Sequence, residues 1–287
     1  MPIDHKKVLS IKDAEKQGKG EVVIRGWVHR ERGSSQRKFI VLRDVTGIIQ
    51  CVIEKEIVGE EKFKIADATH IESSMYIHGT VKEDKRSPTD FELAVKDFEV
   101  IGASVDFPIT KDQSIEWLAD NRHLWLSSRK ETAILKIRST VFGAIHEYFR
   151  NNKFYEFQSP ILQSTQAEGG STLFTVDYFG KPMYLAQTWQ LHAEAAIFSL
   201  EKIYCISPSF RAEKSKTSRH LTEYWHAEME VAWATFEDIQ DYGEGLIKHI
   251  IKKVLENNQD ELKILERNQT ILNHVLTESF IRMTYDE

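Results

Sequence analysis

The chain has 287 residues, 41% hydrophobic and 29% charged, enough to bury one large core or two smaller ones. A net charge of −6 excludes bulk attraction to polyanions, so any nucleic-acid contact has to come from a local patch. Cys51 and Cys205 each sit inside an apolar run and read as buried small hydrophobes of a reducing compartment, not as a disulfide or metal pair.

No apolar stretch reaches membrane-spanning length, and "MPIDHKKVLS" lacks the apolar core of a secretory signal. The expected location is therefore the cytoplasm. Residues 20–101 read as short strands. "VVIRGWV" alternates, with Val22, Ile24, Gly26 and Val28 on one face. "KFIVLRDVTG" and "IIQCVI" form a hairpin through Thr46–Gly47. "MYIHGTV" and "FELAVKDFEV" follow, separated by a charged turn with Pro88. Five strands and a short helix near "KFKIADATH" predict a small barrel of the OB type, with an SH3-like barrel as the rival.

Residues 104–130 read as a connector between a barrel domain over 1–103 and a larger domain over 131–287. From Thr132 to Phe149, apolar residues at Ile134, Ile137, Val141, Ile145, Tyr148 and Phe149 predict a helix with one buried face. "FYEFQSPIL" predicts a strand stopped at Pro160, which cannot donate to a ladder. "AEGGST" is a loop and "QLHAEAAIFSLEKI" is helical. Two strands then flank "FRAEKSKTSRH", with Arg211 and Glu213 on one strand face. "FEDIQDYGEGLIKHIIKKVLE" reads as a last amphipathic helix, with Leu246, Ile247, Ile250, Ile251 and Val254 on one side. The pattern is α+β.

Arg211 and Glu213 form either a structural ion pair or part of a ligand site. Lys214, Lys216 and Arg219 gather further cations on the same turn, and Tyr224 and Trp225 follow it. Arg forks suit phosphate and carboxylate, a Glu accepts from an exocyclic amine, and an aromatic stacks on a base. Neither a P-loop nor a dinucleotide glycine fingerprint is present. The parts fit a nucleotide site of another kind. In the barrel segment, Arg25, Arg30, Arg32, Arg37, Lys38 and Arg43 face one acid, Glu31. This is either a solvated loop or, with Phe39 and Gln50, a groove that tracks phosphates and stacks bases. Phe39 is equally readable as core.

"FRAEKSKTSRHLTEYWHAEME" resembles motif 2 of the class II aminoacyl-tRNA synthetases. It is most similar to the asparaginyl members, of archaeal or eukaryotic type, of the aspartate/asparagine/lysine subgroup. "RSTVFGAIHEYFRNNKFYEFQSPIL" resembles motif 1, and the barrel resembles the family's OB anticodon-binding domain. The resemblance runs from about Gly20 to Glu287. It implies an ATP-dependent ligase that joins asparagine to its tRNA, tRNA(Asn), through an aminoacyl-adenylate, with Mg²⁺ accompanying the ATP. It implies that Arg211 is catalytic and bridges the amino-acid carboxylate and the α-phosphate. Glu213, Arg219, His220, Leu221 and Tyr224 complete the ATP site. Glu168, Gln190 and Glu194 join Arg211 around the amino acid, and Arg25, Phe39 and Gln50 meet the anticodon. No metal ligand is implied among the residues of this chain. Motif 1 implies a homodimer.

Relatives specific for aspartate resemble "QxPQLxK", and here Ala193 stands at the lysine position. Either the missing cation marks a neutral amide substrate, or Ala193 merely packs in a helix. Family members continue through an acidic metal-binding segment and motif 3, which the last residues, "FIRMTYDE", do not resemble. The resemblance therefore implies an incomplete catalytic domain, from a fragment or a truncated paralogue. An aspartate enzyme, a synthetase-like asparagine synthetase and a non-catalytic tRNA-binding paralogue are the alternatives.

Overall fold

The computed structural model describes residues 3–109, 112–165, 167, 173–214, 217 and 220–286. It divides into two compact units, Met1–Leu118 and Ala119–Glu287. Among the described residues, no helix is long and apolar enough to cross a membrane.

The first unit contains β1 (Val8–Leu9), α1 (Ile11–Gln17), β2 (Gly20–Gly33), β3 (Arg37–Arg43), β4 (Ile48–Glu54), α2 (Lys55–Val58), α3 (Glu60–Asp67), β5 (Ser74–Glu83) and β6 (Phe91–Gly102). The strand order is β1-β2-β3-β4-β6-β5, and β5 pairs back onto β2. Strands β2 to β6 thus close a five-stranded barrel of the OB type, and β1 adds a short parallel edge. Alternation decides the interior. Val22, Ile24 and Val28 of β2 and Ile40 and Leu42 of β3 are buried in the barrel core. Gly26 shares that inward face. A Cβ there would lie 2.1 Å from the Arg43 carbonyl oxygen, so only glycine lets β2 coil this closely past β3.

The second unit begins around α4 (Ile115–Asp120), which spans the division, and continues with α5 (Arg122–Trp125) and α6 (Arg129–Asn151). Ser128 caps α6 by accepting from the Glu131 amide. Next come β7 (Tyr155–Glu156), β8 (Leu162–Gln163), β9 (Thr175–Tyr178), β10 (Lys181–Leu185), α7 (Gln190–Leu200), β11 (Lys202–Phe210) and β12 (Glu223–Val231). The segment "FYEFQSPIL" makes only the short strand β7 before it leaves the sheet. α8 (Phe236–Asn257) starts on a Thr235/Asp238 capping box. It is not the last helix, because α9 (Gln259–Ile264) and α10 (Thr270–Thr277) follow.

Strands β7, β11 and β12 form one sheet, and β8, β10 and β9 another. β11 and β12 pair antiparallel from Lys202↔Val231 to Phe210↔Glu223. Paired residues share a face, so the register sorts two sets of side chains. Tyr204, Ile206, Met229 and Val231 pack against Ile145 and Phe149 of α6 and Leu246 and Ile250 of α8. On the opposite face, Ile203 and Cys205 are covered by Trp189 and Ala193 of the α7 segment. Beyond α7 that same face continues with polar residues.

Candidate functional site

The polar face is built by period-two alternation. Ser207 and Ser209 of β11 lie opposite His226 and Tyr224 of β12, and Glu228 lies opposite Cys205. Ser209 Oγ is 3.3 Å from His226 Nδ1, and that nitrogen is 3.2 Å from Glu228 Oε1. The Tyr224 and His226 rings are 5.4 Å apart.

Strand β11 stops at Phe210, so Arg211 and Glu213 do not share a strand face as the alternation predicted. Pairing outlasts the strand by one hydrogen bond, from the Arg211 amide to the Thr222 carbonyl at 2.9 Å. The Arg211 guanidinium lies 5.9 Å from the Tyr224 ring centroid, which puts it at the open end of the polar face. Glu213 and Leu221 are exposed. His220 hydrogen-bonds Thr217 within the loop. Arg219, Lys216, Glu168, Gly169 and Gly170 lie outside the described residues.

At the other end, the start of α7 is tied to β12 by Glu228. Its carboxylate accepts from the Thr188 hydroxyl and from the Trp189 amide at 3.1 Å. An anion at this helix N-terminus also satisfies a donor that the helix itself leaves unpaired. Burial pushes the Glu228 carboxyl up. The bonds from His226, Thr188 and Trp189 outweigh it and hold the group ionised below the ordinary carboxylate value. Gln190 and Glu194 follow on the exposed side of α7, where Gln190 Nε2 donates to Glu194 Oε1 at 3.0 Å. Burial, then the charges of Glu194 and Glu228, push Glu230 up. Ala193 is fully buried against Trp189, Ile203 and Cys205, so its packing alone accounts for a small residue there. Glu228 was not singled out in the sequence. The apolar residues around it in "YWHAEMEV" hide the alternation that exposes it.

In the barrel, Phe39, Val41, Gln50 and Val52 share the outer face through the pairs Phe39↔Val52 and Val41↔Gln50. Phe39 is absent from the core, whose inward neighbours are Ile40 and Leu42. The Arg32 guanidinium stands 5.0 Å from the Phe39 ring centroid. Gln50 is buried, its Nε2 donating to Glu92 at 3.3 Å. Phe39 and Gln50 are therefore brought together. Arg25 is not with them: it sits towards the other end of β2, hydrogen-bonded to Tyr76 at 3.4 Å. The cation beside Phe39 is Arg32, because the β-bulge between Val28 and Arg30 turns Arg30 and Arg32 onto the Phe39 face.

The remaining basic residues of this segment are largely committed. Lys38 is buried against Glu31 at 2.5 Å, Arg37 pairs with Glu54 at 2.9 Å, and Arg43 pairs with Glu72. Among the described residues, no cluster of His, Cys, Asp and Glu could hold a metal ion.

Residues 114–287 match the family described as tRNA synthetases class II (D, K and N), and residues 22–101 match the OB-fold nucleic acid binding domain. An asparagine–tRNA ligase of Thermoplasma acidophilum is 51% identical over 267 residues, covering 93% of this chain and 62% of the relative. One from Chloroflexus aurantiacus is 46% identical over 269 residues, covering 93% and 61%. The crystal structure of asparaginyl-tRNA synthetase from Pyrococcus horikoshii complexed with asparaginyl-adenylate superposes with a TM-score of 0.91 at 39% identity, covering 99% of this chain and 66% of that one. The chain thus spans less than two thirds of the length of these relatives. With more than half of its residues matched by the synthetase family and an OB domain ahead of them, the chain belongs to the class II tRNA synthetases of the D, K and N group.

Proposed function

We propose that this chain provides the anticodon-binding barrel and much of the adenylation site of an asparagine–tRNA ligase. The observation that carries the reading is the polar face of β11 and β12, where Arg211 lies over Tyr224 at one end and Glu228 holds the start of α7 at the other. ATP, as its Mg²⁺ complex, is the co-substrate. Mg²⁺ would be held mainly by ATP phosphate oxygens and waters and would neutralise phosphate charge there. The Arg211 fork meets the α-phosphate and the amino-acid carboxylate. Attack of that carboxylate on the α-phosphorus breaks the bond to pyrophosphate and needs positioning and charge neutralisation more than proton transfer. Tyr224 offers a face to adenine, with Glu213, Arg219, His220 and Leu221 around the nucleotide. Glu168, Gln190 and Glu194 border the amino acid. The ionised Glu228, on the same face, is positioned to accept from a side-chain amide and to repel a carboxylate, which favours asparagine over aspartate.

The barrel meets tRNA(Asn) through Phe39, Gln50 and Arg32, with the aromatic ring stacking on a base. A homodimer built on α6 and the segment after it is supported by Ile134, Leu135 and Tyr155, which stay exposed. The cytoplasm is the compartment that holds these substrates together. Arg211→Ala tests the assignment. Asparagine-dependent ATP–pyrophosphate exchange, measured on a chain extended to the length of the relatives, should fall by orders of magnitude while the fold persists. Near-parental exchange would reject the role of Arg211.

A further inference from the structure

Arg25, separated from Phe39 and Gln50, lines a cleft of about 630 Å³ on the first unit with His5, Lys6, Trp27, Asp44 and Tyr76. Clefts of roughly 300–1,000 Å³ are the usual size of small-ligand sites. His5 stacks on Tyr76 with centroids 4.3 Å apart and an interplanar angle of 14°. The His5 ring is pinned by Glu99, whose Oε2 is 2.9 Å from Nε2. Trp27 is 48% exposed, and the Arg43 guanidinium, held by Glu72, lies 5.6 Å from its ring. The cleft thus offers a fixed, half-open indole and a second aromatic platform.

Its cations are uncommitted and its acid is not. Arg25 has the long contact to Tyr76 and no carboxylate partner among the described residues. Nor does the Lys6 ammonium pair with a carboxylate there. Asp44 accepts from the amides of Ile11, Thr46 and Gly47 and from the Thr46 hydroxyl, which occupies both its oxygens. Free cations beside open aromatic surface suit a ligand with a phosphate and a planar base. We propose that this cleft is a second nucleotide site of the barrel, taking a base against Trp27 and the His5–Tyr76 stack and its phosphate on Arg25 and Lys6. It extends the RNA reading above, although a free nucleotide carries the same chemistry.

The test titrates the isotope-labelled full chain with AMP and, separately, with a short oligouridylate. The readout is the indole N–H resonance of Trp27, identified by its loss in Trp27→Phe. At least one probe should shift that resonance to saturation. The double variant Arg25→Gln/Lys6→Gln should weaken the response about tenfold or more, and Phe39→Ala should leave it in place. A response to the oligonucleotide alone makes the occupant RNA, and an equal response to AMP makes it a free nucleotide. The proposal is overturned if neither probe moves the Trp27 signal. It is equally overturned if the double variant binds like the parent, or if Phe39→Ala abolishes the response. Pyrophosphate exchange does not enter this readout, so a failure of the asparagine assignment is seen separately.

Discussion

Replacing Glu228 by Gln tests whether one carboxylate ties the sheet to α7. Hydrogen bonds to a charged acceptor contribute about 1.5–3 kcal/mol each, and neutral ones about 0.5–1.5 kcal/mol. Gln keeps an oxygen for the Trp189 amide and His226, which meet the same carboxylate oxygen, but that oxygen is no longer charged, and it presents an N–H₂ group to the Thr188 hydroxyl. The loss is about 1 kcal/mol per bond and about 2–3 kcal/mol in all. The pH dependence follows from the depressed carboxyl. Its stabilisation is complete above the ordinary value of 4.5 and is lost as pH falls through the lower folded value. The assay is urea denaturation of parent and variant from neutral pH downwards, with amide exchange at Trp189 as a local reporter. The variant should be less stable at neutral pH, and the gap should close in acid. Equal stability at neutral pH, or a gap that does not change with acid, would refute the anchoring role.

Further outcomes are expected elsewhere. Phe39→Ala should weaken tRNA binding by about 1–3 kcal/mol if the ring stacks on a base. The melting temperature should stay near the parent's, because the ring lies outside the barrel core; a joint fall of both would return Phe39 to the core. Gly26→Ala should destabilise the barrel by about 3 kcal/mol, since the Arg43 backbone has to move, and calorimetry on the full chain reads this. Burial pushes the Cys205 thiol up to about 11 and the Cys51 thiol higher still, so a thiol reagent at neutral pH should label neither until urea unfolds the chain.

The barrel was legible because its alternation is strict: Val22, Ile24 and Val28 point inward as written, and the Thr46–Gly47 turn sets the next hairpin. The α6 periodicity was clear from Val141 to Phe149, although Ile134, expected on the buried face, stays exposed, and the helix runs beyond Thr132 and Phe149 to its Ser128 cap and Asn151. What escaped were features set by tertiary register. Arg25 was grouped with Phe39 and Gln50, yet the register puts it seven residues back along β2 opposite Tyr76, while the bulge, which no sequence signal marks, puts Arg32 rather than Glu31 opposite Phe39. Arg211 and Glu213 looked like strand residues, yet the pairing ends once Arg211 has bonded Thr222. Counting basic residues between Arg25 and Arg43 overstated the groove, because Lys38, Arg37 and Arg43 find carboxylates from Glu31, Glu54 and Glu72. Such partners are set by strand pairing and cannot be assigned from composition.

The alternation of β12 separates chemistry from stability within one strand. Tyr224, His226 and Glu228 serve the open face, while Met229 and Val231 serve the core beneath it. A substitution at Tyr224 can retune what the face binds with little disturbance to packing, whereas Glu228 also ties α7 to the strand, so a change there alters binding and stability together. Insertion or deletion of one residue goes further. It would turn Met229 towards the site and Glu228 towards α6 and α8, and both properties would fail together.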